Sequence, residues 1–381
     1  MPKYSGKAIG RAGEVLRKSN IHTNDSEFDE AMRALSYWRL SHENPLIEAM
    51  SLVQKAVKPI DRLAVFAKRP KRFQSIINKL QRFDKMSLRT MNDIGGCRVI
   101  LSNEKKLWKA VKSVKRHNSH FGLPANHSFN DYIQKPKSDG YRGYHLIGKF
   151  DGGQGDTRSI EIQFRTKFQH SWATSVEIVD IFTDQALKSN SGNKDWATFF
   201  QNISKLLASI EKIKSKGNLL TNAFQTLYFE AIKDNKELKD AHQSVRRLAE
   251  KLNVRTLFEA FSGSLKVLQD LTPLASTRSS DYVLLEIDTS VKELSAKVFD
   301  SQDSAEAERL YSERELSSRG SPSIVVALVS STSLGGIEKA YPNYFADASS
   351  FLNHLDLIMS ITFVNPLLTR AMKYLTSAKL S

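Results

Sequence analysis

The segment Ile160–Thr166, which reads IEIQFRT, alternates strictly between apolar and polar side chains. The apolar ones are Ile160, Ile162 and Phe164, and the polar ones are Glu161, Gln163 and Arg165. This period of two predicts a strand with one face in a core. The other face then carries a carboxylate, an amide and a guanidinium about 7 Å apart. That row suits a site for a metal ion and phosphates, although a solvated strand face could show the same pattern.

The positive charge of the chain is concentrated in one segment. The 381 residues carry a formal net charge of +15. Residues 51–150 hold 22 lysines and arginines against 6 acidic residues, so this segment alone accounts for the excess. Such a local concentration of charge indicates a polyanionic ligand, either nucleoside triphosphates, nucleic acid or both.

The composition predicts a cytoplasmic protein that makes no contact with a membrane. Hydrophobic residues are 40% and charged residues 25% of the chain, as in ordinary globular proteins. No apolar run reaches the roughly 18 residues of a membrane helix, and the polar N-terminus lacks a secretory signal. The single cysteine, Cys97, excludes an intrachain disulfide, and its apolar surroundings favour a buried structural role over a nucleophilic one.

Apolar spacing predicts an α+β (or α/β-like) core over residues 45–182. The expected strands are 63–67, 98–101, 128–133, 144–150 and 159–165, with a hairpin turn at 151–156. The expected helices are 45–59, one starting near Pro70, 104–117 and 167–180. These elements predict a mixed sheet of about five strands flanked by helices.

The rest of the chain is predicted to contain three further parts. Residues 1–44 look like a helical extension, and the helical middle region is assigned to 183–272. A linker at 272–280 precedes a smaller α/β module at 281–381. That module combines strands at 282–287, 293–299 and 324–329 with a helix at 303–317 and a longer one from about residue 336.

Two clusters predict a site for nucleotide phosphates and a metal ion. Arg69 precedes a helix that starts at Pro70, and Lys71, Ser75 and Lys79 follow at helical spacing, which predicts one phosphate-binding face. A basic solvated helix is the alternative.

Asp93 is the only acid between Asp84 and Glu104, and two glycines are expected to turn the chain after it. Asp93 and Glu161 together are candidates for a two-carboxylate Mg²⁺ site.

A third cluster predicts a site for a nucleobase. The loop from Lys135 to Arg142 places cations around Tyr141, which is expected to be exposed. An aromatic ring with neighbouring cations can hold a base and its phosphates, although a plain basic surface loop would have a similar composition.

In order and spacing, four motifs resemble the RelA/SpoT synthetase domain, and in particular the small alarmone synthetases, some of which are toxins fused to their antitoxin. The motifs are R-x-K…S-I…K, D-I-x-G-x-R-V, D-Y-I-x-x-P-K-x-x-G-Y-x-x-x-H and E-I-Q-x-R-T, and they span roughly residues 45–182. The resemblance implies a nucleotidyltransferase-like fold that transfers pyrophosphate from ATP to a ribose 3′-hydroxyl.

The same resemblance implies a role for each matching residue. Asp93 and Glu161 would be catalytic and would bind Mg²⁺, with Glu161 also a possible base. The ATP-binding residues would be Arg69, Lys71, Ser75, Lys79, Arg98 and Arg165. The acceptor-binding residues would be Lys137, Tyr141, His145 and Gln163.

The identity of the acceptor stays open at this level. GDP or GTP would give the alarmone (p)ppGpp, whereas the 3′ end of tRNA would give a toxin that stops translation. The tRNA alternative draws on the basic helix 104–117, although a solvated surface helix would have the same composition. Asp139, which stands where the family often has an asparagine, and Arg142 depart from the family's acceptor motif and leave the acceptor open. A non-catalytic nucleotide- or RNA-binding module is a third alternative, which the presence of both carboxylates argues against.

The resemblance also implies which domains such an enzyme would have and which of them would regulate it. No His-Asp pair of the family's hydrolase domain is present, so the chain is expected to be a synthetase alone. The module at 281–381 would be a regulator, intramolecular or acting through a partner protein in phage defence. Its aromatic stretch 341–345 would be one contact.

Overall fold

The computed structural model describes most of the chain. The described residues are 3–18, 26–71, 73–121, 129–151, 157–183, 194–215, 221–258, 282–288, 293–299, 303–318, 324–330 and 348–361. Within them, every helix is too short or too polar to cross a lipid bilayer. The predicted turn 151–156 beyond Asp151, the linker 272–280 and the aromatic stretch 341–345 lie outside the described residues.

A five-stranded mixed sheet forms the centre of the first half of the chain. Its strands are β1 (Val65–Pro70), β2 (Gly95–Leu101), β3 (Phe129–Asp131), β4 (Tyr144–Phe150) and β5 (Arg158–Thr166). The spatial order is β1-β2-β5-β4-β3; β2 and β5 run parallel, and the other pairs are antiparallel. The predicted α+β class with about five strands is confirmed.

The register of β5 separates a core face from a polar face. Cys97 lies opposite Ile162 and Val99 opposite Phe164, and these four side chains are buried. Gly96 lies opposite Glu161 on the other face. The alternation that predicted the strand therefore also assigns its two faces correctly.

Two helices cover the core face. They are α3 (Glu43–Val57) and α5 (Glu104–Lys115), and both bury apolar residues in the same core as β2 and β5. Helix α5 begins after Asn103, whose side chain accepts a hydrogen bond from the amide of Lys106 as an N-cap. The basic outer face of α5 thus lies across the sheet from Glu161. The short helix α6 (Asn118–Phe121) follows.

Helix α7 (Lys167–Thr183) continues directly from β5 and covers the polar face. Thr166 and Gln169 form the capping box that starts it. The amide of Thr166 donates to Gln169 Oε1 (3.1 Å), and the amide of Gln169 donates to Thr166 Oγ1 (3.3 Å). The start of α7 is therefore held at a fixed position beyond the end of β5.

The helix that was predicted to begin at Pro70 starts later in the structure. Pro70 is the last residue of the edge strand β1, and α4 runs from Phe73 to Arg82. The amide of Lys71 extends the ladder by donating to the carbonyl of Ile94 (2.8 Å), which keeps Lys71 outside the helix. Proline fits here because an edge strand needs no donor at that position. Helix α4 packs with α1 (Gly6–Lys18) and α2 (Ser26–Leu40) in a separate core.

The prediction that two glycines form a turn before β2 is wrong. Gly95 and Gly96 are the first residues of the strand itself. A Cβ on Gly95 would stand 2.8 Å from Cδ1 of Ile160, so the close packing of β2 on β5 favours glycine here. Cys97 is buried, and burial raises the pKa of its thiol to about 12, in line with a structural residue.

The second half of the described chain contains a helical core and a small sheet. Helices α8 (Lys194–Lys214), α9 (Thr221–Lys233) and α10 (Lys236–Lys251) share one core with α7 and with the C-terminal α12 (Ala348–Ser360). The small sheet has the order β7-β6-β8, from β6 (Tyr282–Asp288), β7 (Glu293–Phe299) and β8 (Ile324–Ser330). Helix α11 (Ser304–Ser317) packs on it.

Candidate functional site

A cavity of about 550 Å³ opens on the polar face of the five-stranded sheet. One end is cationic, with Lys71, Lys79 and Arg82 in its wall. The other end is aromatic, and its rings belong to Tyr132, Tyr141, Trp172 and Phe200. Asp93 and Glu161 also line the same cavity.

At the cationic end, two lysines converge on one carboxylate. Lys71 Nζ donates to Asp93 Oδ2 (2.8 Å), and Lys79 Nζ donates to Asp93 Oδ1 (2.9 Å). Burial works to raise the pKa of Asp93, but the two ammonium groups outweigh it and hold that pKa below its usual value. Asp93 is therefore ionised at neutral pH, and it holds the ammonium groups of Lys71 and Lys79 close together at this end of the cavity.

Glu161 is held in the floor of the cavity by its neighbours on β4 and β5. His145 Nδ1 lies 2.9 Å from Glu161 Oε1, and Gln163 Nε2 donates to Glu161 Oε2 (2.6 Å). Burial works to raise the pKa of Glu161, but the buried His145 and the hydrogen bonds from His145 and Gln163 lower it to about 2. The pKa of His145 is raised in return by Tyr141 and Glu161, despite the effect of burial. Glu161 and His145 therefore each stabilise the charged form of the other.

Tyr141 and Arg165 extend this network towards the aromatic end. The Tyr141 hydroxyl lies 2.6 Å from His145 Nε2 and accepts from Arg165 Nε (3.1 Å). Arg165 Nη2 donates to Gln163 Oε1 (3.2 Å). The strand face that was predicted from IEIQFRT is therefore a connected hydrogen-bond network.

The loop that carries Tyr141 differs from the expected basic, exposed loop. Tyr141 is only partly exposed, and the edges of the Tyr132 and Trp172 rings pack near it. Asp139 Oδ1 accepts from the amide of Tyr141 (2.8 Å), a bond that an asparagine could also make. Arg142 turns away from the cavity and bonds to Ser204 on α8, since its Nε donates to Ser204 Oγ (3.3 Å).

The structure brings most of the predicted site residues together. Nine of the twelve line the cavity: Lys71, Lys79, Asp93, Lys137, Tyr141, His145, Glu161, Gln163 and Arg165. Arg69 pairs with Gly96 in the sheet, and Arg98 pairs with Gln163 on the face that carries Glu161. Ser75 is partly exposed on α4 and is not among the described residues that line the cavity.

Several lining residues escaped the sequence analysis. Arg82 stands three residues after Lys79 on α4, so helical spacing alone could have added it to the donor face. Ala197 and Phe200 come from α8, more than thirty positions beyond the last motif, and no local pattern marks them. They reach the cavity because α8 packs on α7.

The two carboxylates of the cavity, Asp93 and Glu161, could hold a Mg²⁺ ion if a ligand supplied further oxygen atoms. Asp93 and Glu161 both have lowered pKa values. The charge of Glu161 acts to raise the pKa of Asp93, so the two carboxylates are close enough to interact electrostatically. Among the described residues, no group of three or more His, Cys, Asp or Glu side chains could hold a metal by itself. Mg²⁺ prefers one or two carboxylates completed by phosphates and water, which this pair can supply.

Comparison with known proteins matches the part of the chain that carries the cavity. Residues 68–179 match the family model described as "Region found in RelA / SpoT proteins". A GTP pyrophosphokinase of Escherichia coli K12 is 27% identical over 149 residues, which are 39% of this chain and 19% of that protein. A GTP pyrophosphokinase of Bacillus subtilis is 33% identical over 114 residues, which are 28% of this chain and 52% of that protein.

Solved structures give matches of the same kind. The small alarmone synthetase 2 of Bacillus subtilis has a TM-score of 0.39 at 22% identity, covering 47% of this chain and 98% of that one. A GTP pyrophosphokinase family protein of Streptococcus pneumoniae has a TM-score of 0.39 at 19% identity, covering 54% and 98%. The chain spans about a fifth of the length of the Escherichia coli relative. The predicted resemblance to the RelA/SpoT synthetase domain is confirmed for residues 68–179.

Proposed function

We propose that this protein is a pyrophosphokinase that transfers the β,γ-pyrophosphoryl group of ATP to the 3′-hydroxyl of GDP or GTP and so makes the alarmone (p)ppGpp. The observation that carries the proposal is that one cavity combines a cationic end, an aromatic end and two carboxylates with lowered pKa values, Asp93 and Glu161. The names of two relatives, GTP pyrophosphokinases that match 149 and 114 residues, support the same activity.

The cationic end suits the donor. Lys71, Lys79 and Arg82 would bind the β- and γ-phosphates of ATP, which would displace the lysines from Asp93. Arg69 and Arg98 lie on strands beside this end and would bind the rest of the donor. Ser75 would add a hydroxyl contact from α4. The cations then offset the charge that develops on the transferred group and on the leaving AMP.

The aromatic end suits the acceptor. The ring of Tyr141 would stack on the base, and Lys137 would approach the acceptor phosphates. His145 and Gln163 would hold Glu161 in place below the ribose. This arrangement would bring the acceptor 3′-oxygen in line with the β-phosphorus, so that it forms the new P–O bond as the bond to the α–β bridging oxygen breaks. AMP would leave with the bridging oxygen, and the proton of the 3′-hydroxyl would pass to water.

Asp93 and Glu161 would bind the metal ion, and Glu161 would also orient the acceptor hydroxyl. Bound Mg²⁺ would neutralise charge across the donor phosphates, and Asp93 and Glu161 are the residues that would hold it. The lowered pKa of Glu161 makes it a weak base, so we assign it to holding the metal and orienting the 3′-hydroxyl.

The test is transfer from ATP labelled in its γ-phosphate to a set of acceptors. Purified protein receives GDP, GTP or deacylated tRNA in separate reactions, with Glu161→Gln as the inactive control. We expect label in a guanosine nucleotide and AMP in equal amount. Label in tRNA alone would refute the proposal in favour of the toxin-type activity. The position of α5 weakens that alternative, because its basic face lies across the sheet from the cavity.

The proposed site for regulation is the small C-terminal sheet with α11. The ring of Tyr311 on α11 stacks on Phe73, the first residue of α4, with 6.5 Å between ring centroids. Through α4, this contact reaches the residues proposed to bind ATP, and we propose that the C-terminal module acts on the donor side.

A further inference from the structure

The loop that presents Tyr141 rests on helix α8. Gly140 has a φ of +94°, a conformation that favours glycine. A Cβ there would also come within 3.1 Å of the Gln201 Cα and of the Phe200 carbonyl oxygen, both in the backbone of α8. Ser204 Oγ donates a short hydrogen bond to the Gly140 carbonyl. The loop and the helix are therefore in direct backbone contact immediately before Tyr141.

Arg142 closes the loop from the other side of Tyr141. Its Nε donates to Ser204 Oγ (3.3 Å) and its Nη1 donates to the Ile133 carbonyl (3.3 Å). Burial lowers the pKa of Arg142, and the charge of Glu211 on α8 opposes that change. One serine of α8 thus bonds to the residues on both sides of Tyr141.

Glu211 lies two turns further along the same face of α8, 5% exposed. Its Oε2 accepts from Thr166 Oγ1 (3.0 Å), the residue that caps α7 at the end of β5. Its Oε1 is buried without a hydrogen-bond partner in the described structure. A cavity of about 10 Å³ lies between Arg142, Gln169, Ser204 and Glu211, roughly the room that one water molecule needs.

Helix α8 also holds the second aromatic wall of the site. Trp172 Nε1 on α7 donates to the Phe200 carbonyl of α8 (2.8 Å). The ring of Trp172 meets that of Tyr141 edge-on, with 6.2 Å between centroids. Both sides of the acceptor end are therefore fixed to one helix, which lies outside the matched residues 68–179.

We propose that Arg142, Ser204 and Glu211 are positioning residues that hold Tyr141 in place for the acceptor nucleotide; we call them the α8 clamp. They do not touch the reacting atoms. The clamp joins the loop before and after Tyr141 to α8, and it joins α8 to the end of the strand that carries Glu161. The part of this inference that concerns the acceptor rests on the proposed pyrophosphokinase activity.

The first test separates acceptor from donor kinetics in Ser204→Ala and in the isosteric Glu211→Gln. We expect the KM for GDP or GTP to rise at least about fivefold in Ser204→Ala, with the KM for ATP within about twofold of the wild type. Glu211→Gln should show a smaller change in the same direction. Ser209→Ala, a partly exposed position on the same helix, is the matched control and should be unchanged. Equal rises in both KM values would overturn the proposal.

The second test needs no substrate. The amides of Gly140 and Tyr141 donate within the loop, to the Lys137 carbonyl and to Asp139 Oδ1. Their hydrogen exchange should be at least about tenfold faster in Ser204→Ala than in the wild type and in Ser209→Ala. Unchanged exchange would refute the clamp, whatever the protein catalyses. Faster exchange in a protein that transfers nothing to guanosine nucleotides would uphold the clamp and refute the proposed function instead.

Discussion

At the scale of single residues, Glu161 is held by more contacts than a solvent-facing carboxylate would need. Both of its oxygens have partners, in His145 and Gln163, and the strong lowering of its pKa follows from those partners rather than from solvent. A carboxylate held in this way has one fixed orientation. A fixed orientation agrees with the role proposed for Glu161, which is to hold a metal ion and to orient the acceptor hydroxyl.

We predict that Glu161→Gln abolishes pyrophosphoryl transfer, by at least about three orders of magnitude, because the amide cannot hold Mg²⁺. ATP binding should stay measurable, since Lys71, Lys79 and Arg82 remain in place. Turnover and ATP affinity are measured on the same preparation. Glu250→Gln, at an exposed position of α10, is the control and should behave as the wild type. Turnover retained in Glu161→Gln would contradict the assignment.

Glu211 gives a second prediction at this scale, on stability rather than activity. Burial raises the pKa of Glu211 to about 7, against about 4.3 in an unfolded chain. Between these values the folded protein keeps a proton that the unfolded chain has lost. The free energy of unfolding therefore falls as the pH rises through this window, and it stays lower above it.

Glu211→Gln removes this titration without changing the shape of the side chain. The stability of the variant relative to the wild type should therefore increase by about 1–3 kcal/mol between about pH 5 and about pH 8. Denaturant unfolding at a series of pH values measures it. A difference that is constant across the pH range would show that Glu211 titrates normally.

At the scale of elements, the cationic end of the cavity is assembled from three short segments of the chain. Lys71 follows the edge strand β1, Lys79 lies on α4, and Asp93 precedes β2. Antiparallel pairing of β1 with β2 brings the first and third pieces together, and the packing of α4 on α1 and α2 brings the second. The Asp93 carboxylate thus holds the ammonium groups of Lys71 and Lys79 close together.

We predict that Asp93→Asn changes ATP binding in opposite directions with and without metal. With the metal chelated, ATP should bind about 5–10-fold more tightly, because Lys71 and Lys79 lose their carboxylate partner. With Mg²⁺ present, transfer should fall at least about a hundredfold. Calorimetry and the labelled-ATP assay measure the two effects. Asp84→Asn, an exposed acid just after α4, controls for net charge alone. Weaker binding in both conditions would refute the model of a displaced carboxylate.

At the scale of the whole molecule, the small C-terminal sheet and its helix α11 meet the five-stranded part of the molecule at β1 and at the start of α4. Strand β8 runs beside β1, and Tyr311 stacks on Phe73. The guanidinium of Arg39 lies 3.8 Å from the centroid of Phe73 and 5.2 Å from that of Tyr311. This contact connects α2, α4 and α11, three helices that are far apart in sequence.

We predict that Tyr311→Ala destabilises the protein by about 1–3 kcal/mol, through loss of the ring and of its cation contact. The KM for ATP should rise several-fold because α4 loses a support at its first residue, while the KM for the acceptor should not change. Tyr311→Phe keeps the ring and is the control. Thermal unfolding and steady-state kinetics measure both effects. A higher turnover in Tyr311→Ala would show that the module restrains the enzyme rather than supports it.

Local sequence patterns were enough to predict the strands and most of the site residues, because each strand and each motif is a short stretch of neighbouring residues. The alternation of IEIQFRT predicted both faces of β5, and the short motifs named nine of the residues that line the cavity. Local reasoning failed at Pro70 and at the glycines before Cys97. There, the hydrogen bond from Lys71 to Ile94 and the packing of Gly95 on Ile160 decide the conformation, and both partners are distant in sequence.

By itself, the sequence determined the α+β class, the five strands and the chemical types gathered in the cavity, since each follows from periodicity or from a short motif. Only the tertiary structure decided that Arg142 turns towards α8, that Phe200 and Ala197 complete the aromatic end, and that α5 lies on the opposite face of the sheet. The physical reason is that these positions depend on which buried surfaces pack together. Such packing joins residues far apart in the chain, and no local spacing records it.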